Sequence, residues 1–176
     1  MSGNPAWETM MRLLPIAVAF GIAGVTIASS GGTQVPDAQI NPQSLQWQKA
    51  GEAALASGNF AAADDALETA LVIDPRNRGA FVALARVAQR QKLYGQAIRF
   101  TNKALALEPN DPVALGVQGE AMVELGAVSR AQQNLAKIKT LCGAKPCPSA
   151  TSLTALIQRG PAIAIKAEVA AAPKKN

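Results

Sequence analysis

The stretch LETALVIDPRN at 67–77 returns as TNKALALEPND at 101–111, a displacement of 34 residues. The same displacement takes Ala70 to Ala104, Leu71 to Leu105, Pro75 to Pro109 and Asn77 to Asp111. It also links Trp47, Phe81 and Leu115, then Gly51, Ala85 and Gly119, then Phe60, Tyr94 and Val128, then Ala63, Ala97 and Ala131. A fixed period this long means one supersecondary unit that cannot bury its apolar side alone, so that successive units stack and share a continuous core.

Local signals divide each unit into two helices. Asn41 and Pro42 open the first as N-cap and first-turn proline, and Gly58 ends it. Trp47, Ala50, Gly51 and Ala54 share one face, and Gly51 lets the partner helix approach. That partner runs over 60–73, buries Ala63, Leu67, Ala70 and Leu71, and stops at Pro75. The spacing predicts further helices at 78–91, 94–107, 112–125 and 128–141, with Asp111 as an N-cap before Pro112. After Pro148, Leu153, Leu156 and Ile157 recur at helical spacing up to Gly160, which predicts one more helix covering the last unit.

This period and pattern resemble the tetratricopeptide repeat. The apolar run at 13–30 predicts one N-terminal helix, and after it the resemblance implies an all-α fold: a short helical solenoid of about three helix–turn–helix units plus a capping helix. It marks three departures from the family pattern. Thr101 stands where a large apolar residue is usual, so packing there is looser or the hydroxyl bonds back to its own helix. Gln118 also replaces a large apolar residue, and Ile138 a small one. The expected organisation is an N-terminal anchor or signal at 1–30, a linker at 31–43, the solenoid at 44–143, the capping helix at 144–160 and a mobile tail at 161–176.

Residues 13–30, LLPIAVAFGIAGVTIASS, carry no charge, Arg12 precedes them, and no Lys or Arg follows until Lys49. That asymmetry places the N-terminus in the cytoplasm and the repeats across the membrane. A helix over 5–28 would span roughly 36 Å at about 1.5 Å per residue, enough to cross the hydrocarbon core. Two readings stand. A cleaved secretory signal would leave a soluble periplasmic protein. A retained single-pass anchor is the one preferred, because Ala17, Gly21, Gly24 and Ala28 form a small-residue stripe able to pack on another transmembrane helix.

The charge is uneven. Residues 44–77 hold two basic side chains against five acidic ones, whereas 78–111 hold six against two. No aromatic residues are interleaved with the basic ones to stack bases, so nucleic acid is not an expected partner. The chain has no histidine, which removes the commonest general base and metal ligand. Asp64 and Asp65 are neighbours that point apart on a helix, and no nucleophile–base pair assembles. Neither an enzyme nor a metal, cofactor or small-molecule substrate is expected. Cys142 and Cys147 suit a disulfide stapling the last repeat to the capping helix in an oxidising compartment, with free thiols the alternative. Their four-residue separation does not fit a redox motif.

In the family that the chain resembles, the first helix of each unit lines a concave groove. Carried over by position, the groove would take Leu45, Gln48, Glu52, Leu55 and Ala56 from the first unit. The second would offer Gly79, Val82, Arg86, Gln89 and Arg90, and the third Val113, Gly116, Glu120, Val123 and Glu124. The lysines and asparagines with which one subfamily clamps a chaperone's C-terminal carboxylate are missing, since Gln48, Glu52 and Ala83 stand there. Arg86 and Arg90, one turn apart, offer a different carboxylate site. Alternatively, these charges pair among neighbouring units. The expected function is a protein-interaction scaffold on the non-cytoplasmic side of the inner membrane, binding or assembling an envelope complex. A permanent accessory subunit is the alternative. The alanine-rich composition and the segment order look bacterial.

Overall fold

The computed structural model describes residues 40–161. The apolar segment, its stripe Ala17, Gly21, Gly24 and Ala28, most of the linker and the C-terminal tail lie outside the described residues. Among those described, no helix is long and apolar enough to cross a membrane.

Seven helices follow one another among the described residues: α1 (Pro42–Ala56), α2 (Phe60–Ile73), α3 (Arg78–Arg90), α4 (Tyr94–Leu107), α5 (Pro112–Glu124), α6 (Val128–Cys142) and α7 (Pro148–Arg159). They form three antiparallel pairs and a closing helix. Side chains cap the first helix of every unit: Asn41 accepts from the Gln43 amide, Asn77 from Ala80, and Asp111 from Val113 and Ala114. The turn inside each unit recurs at Gly58, Lys92 and Gly126, all with positive φ. Lys92, at φ 63°, adopts the backbone that its glycine counterparts adopt without steric cost.

The core is continuous but built of small side chains, as alanine-rich stacked helices require. One part joins Leu67 and Ala70 of α2 to Leu84 and Val87 of α3; the next joins Ala85 and Ala88 to Ala97, Ala104 and Ala121. A Cβ on Gly51 would lie 2.5 Å from Leu67 Cγ, so the missing side chain sets the α1–α2 approach. Gly119 occupies the same repeat position with a different partner: a Cβ there would meet Leu153 of α7 at 2.6 Å.

Each family departure has a local cause. Thr101 is fully buried, and its hydroxyl donates to the Ala97 and Ile98 carbonyls of its own helix. Gln118 donates to Asn102 Oδ1 and accepts from Asn134, tying α4, α5 and α6 through a polar chain. Ile138 is fully buried in the cluster that Leu153 completes, where α7 supplies the wall that a larger residue needs.

Between the first two units lies a second polar junction. Asp74 accepts from the Asn41 amide and pairs with Arg76, while Asn77 donates to Ser44, whose hydroxyl donates to the Ala70 carbonyl. The Arg76 guanidinium, with the backbone amides of Asn41 and Arg76, holds the Asp74 carboxyl well below its usual range, at about 2. A carboxylate with a depressed folded pKa stabilises above its unfolded value, and that contribution is lost as pH falls through the folded one. The stability gap between wild type and Asp74→Asn is therefore expected to be full at neutral pH. It should close between about pH 4 and pH 2 in urea unfolding followed by circular dichroism.

Candidate interaction groove

α1, α3 and α5 stack side by side because each packs its small-residue face on the helix pair before it. This turns one side of each of the three helices, including the C-terminal residues Leu55, Arg90 and Glu124, to one concave surface. Gly79 lacks a side chain where Gln48 crosses from α1; a Cβ there would come within 2.5 Å of the Gln48 amide. Gln48 in turn donates to Glu52. Arg78 pairs with Asp111 at 3.1 Å and ties the start of α3 to the cap of α5.

A cleft of about 300 Å³ is lined by Leu55 of α1, Arg86, Gln89 and Arg90 of α3, and Val113, Gly116, Val117 and Glu120 of α5. Pro148, Ser149 and Ser152 of α7 close its far wall. A second hollow of about 290 Å³ continues along Arg90, Tyr94, Glu124, Ser152, Leu156 and Arg159. A third, near the N-terminal end, gathers Glu52, Val82 and Arg86.

The structure thus brings Glu52, Leu55, Val82, Arg86, Gln89, Arg90, Val113, Glu120 and Glu124 to this concave side. Leu45 and Gln48 are partly exposed on α1. Val123 goes elsewhere. It is fully buried, in the cluster of Leu115, Ile138 and Leu153, because α7 packs over that side of α5. Along the cleft and the second hollow, the groove residues that the family positions do not supply are Val117, Tyr94 and those of α7. Ser149, Ser152, Leu156 and Arg159 recur at three- and four-residue steps beside the Leu153 stripe, a signal that identified the helix but not its second face.

The electrostatics are partly internal. Glu124 pairs with Arg159 of α7 at 3.0 Å rather than with Arg90. Burial raises the Glu120 carboxyl above its usual range, against the lowering effects of a Gln89 hydrogen bond and the nearby Arg86 charge. Gln89 also donates to the Val117 carbonyl and so is held in place. Arg86 and Arg90 are exposed and make no salt bridge among the described residues. Cys142, the last residue of α6, is bridged to Cys147, the N-cap of α7, with Cα atoms 6.0 Å apart. No group of acidic, histidine or cysteine side chains among the described residues could hold a metal ion.

Residues 54–121 match the family model of the tetratricopeptide repeat. Among solved structures, the chain is similar to the type III secretion translocator chaperone SycD of Yersinia enterocolitica, with 19% identity over 73% of this chain and 96% of that one, TM-score 0.62. It is similar to the Sgt2 TPR domain from Aspergillus fumigatus, with 20% identity over 77% and 88%, TM-score 0.62. It is also similar to the first TPR of Spaghetti (RPAP3) bound to the HSP90 peptide SRMEEVD, with 20% identity over 66% and 92%, TM-score 0.59. Identities this low establish the fold alone. A comparison with curated proteins finds no match.

Proposed function

From a chain that carries tetratricopeptide repeats, a protein-interaction fold, we propose a protein-binding scaffold tethered to a membrane, which presents its groove on the non-cytoplasmic side to a segment of an envelope or membrane protein. The observation that carries this reading is the groove between α3 and α7, where Arg86 and Arg90 stand exposed one turn apart above an apolar floor of Val113, Gly116 and Val117. Two guanidinium groups so placed suit a carboxylate of the partner, with bidentate bonding available to each. The SRMEEVD peptide bound by one structural neighbour is itself acidic. The lysine and asparagine clamp is absent here, so the basic contribution comes from the α3 arginines. The uncharged run at 13–30 behind Arg12 supports the tether, and the bridge between Cys142 and Cys147 suits an oxidising compartment.

The test is photocrosslinking from Ser152, on the groove's far wall, in intact membranes carrying the full chain. A discrete protein partner is expected. Arg86→Glu combined with Arg90→Glu should lower its yield by about tenfold or more, since charge reversal turns attraction into repulsion. Unchanged yield would remove the arginines from the site. Intact mass of the mature chain checks the tether: loss of the first ~30 residues, as in signal cleavage, would replace it with a soluble form.

A further inference from the structure

The second helices of the units form the side of the solenoid away from the groove, and their charges change sign along it. α2 carries Asp64, Asp65 and Glu68 and no basic residue. α4 carries Arg99 and Lys103, α6 carries Arg130, Lys137 and Lys139, and neither has an acidic residue. All five cations are exposed.

Their spacing builds a surface. Arg99 and Lys103 lie one turn apart, and Arg130 and Lys137 two turns apart, so each pair shares a helix face. Lys103 and Lys137 occupy equivalent repeat positions, which aligns the two faces across the stacked helices. Lys137 donates to the Pro109 carbonyl at 2.7 Å, which holds its ammonium over the junction of the units with donors to spare. Asn102, Gln133 and Thr140, exposed on the same helices, are polar, and Leu141, near the C-terminal end of α6, is their one exposed large apolar residue. This composition favours a flat anionic partner held by charge rather than an apolar one held by burial. Apart from Tyr94, the first residue of α4, none of the residues lining the groove comes from α2, α4 or α6.

We propose that the basic face of α4 and α6 docks on the anionic phospholipid surface of the membrane that holds the chain. The proposal rests on the tether reading. Residues 31–39 separate the apolar segment from Ile40, and nine residues span at most about 30 Å even when fully extended. The domain therefore stays near the headgroups, where each Lys or Arg adds to the attraction within a Debye length. Docking by this face turns the groove away from the bilayer and leaves it open to a partner. The acidic α2 is repelled, which fixes which end of the face lies closer to the lipid.

The experiment uses the full chain in nanodiscs of phosphatidylcholine, with or without phosphatidylglycerol, and reads lysine acetylation rates by mass spectrometry. Lys49, exposed on α1, is the internal reference. Lys103 and Lys137 are expected to react roughly threefold or more slowly, relative to Lys49, in the anionic discs only, with the protection lost at high salt. Arg99→Glu with Arg130→Glu should abolish it. Equal rates in both discs would overturn the docking while leaving the tether intact. A chain that does not co-purify with the discs would remove the tether and the proposal with it. Protection that appears in neutral discs and grows with protein concentration would assign the face to the acidic α2 of a second copy and overturn the lipid assignment, as would protection that requires added nucleic acid.

Discussion

Truncating Leu153 to alanine is expected to destabilise the domain by about 2–5 kcal/mol and to loosen the groove's far wall in the same step. Leu153 is fully buried and completes the cluster of Leu115, Val123, Ala131 and Ile138. On α5 it also seats on Gly119, which has no side chain to move into the space. The cost should therefore lie in the upper part of that range. Attachments of α7 that would survive are the partial packing of Leu156 and Ile157, the bridge from Cys142 to Cys147 and the Arg159–Glu124 pair. The pair, open to solvent on its Arg159 side, contributes little. The bridge closes a short loop, worth about 2 kcal/mol in the chain-entropy description. Reduction should then cost Leu153→Ala more of its α7 helicity than it costs wild type. Urea unfolding with and without reductant measures both effects. Ser152→Ala, at an exposed neighbouring position, is the control and should change stability by less than about 0.5 kcal/mol. Equal stability of Leu153→Ala and wild type would mean that α7 does not carry the last cluster.

Gly51→Ala is expected to cost about 1–3 kcal/mol, an unusual penalty for a substitution that raises helix propensity. The new Cβ would stand 2.5 Å from Leu67 Cγ, 2.8 Å from its Cδ2 and 3.2 Å from the Ala63 carbonyl oxygen. Leu67 is fully buried and cannot swing aside, and the carbonyl belongs to the α2 backbone. Relief would require α2 to move off α1. The second unit shows the alternative arrangement: Ala85 and Thr101 hold the positions of Gly51 and Leu67. Adding Leu67→Thr to Gly51→Ala should therefore recover part of the loss, giving a favourable coupling in a double-mutant cycle. Leu67→Thr alone should be destabilising, because it opens space beside a glycine. Thermal unfolding of the four proteins checks this, and simple additivity would show that the two positions do not share one volume.

That exchange also explains why parts of the fold could be read in advance. The period was legible because every unit packs a helix closely at the same position, so a small residue returns at Gly51, Ala85 and Gly119 whichever helix lies against it, and the same capping demand returns at Asn77 and Asp111. Thr101 was legible only as a choice between looser packing and a back-bonded hydroxyl. The outcome depends on what α3 presents opposite it, and the hydroxyl is back-bonded. Gln118 gave no sign of its partners, since Asn102 and Asn134 lie on two other helices and meet it only after stacking.

The groove divides the same way. Spacing along α3 places Arg86 and Arg90 on one face whatever surrounds them, because helix geometry is local. Whether a residue of α5 faces solvent or core depends on where the closing helix comes to rest, and that is a matter of packing between segments distant in sequence. Val123 is buried and Glu124 is paired with Arg159 for that reason. The repeated size and capping pattern thus specified three stacked helix pairs. The position of α7, set by Leu153 seating on Gly119, specified which of their residues form an open groove.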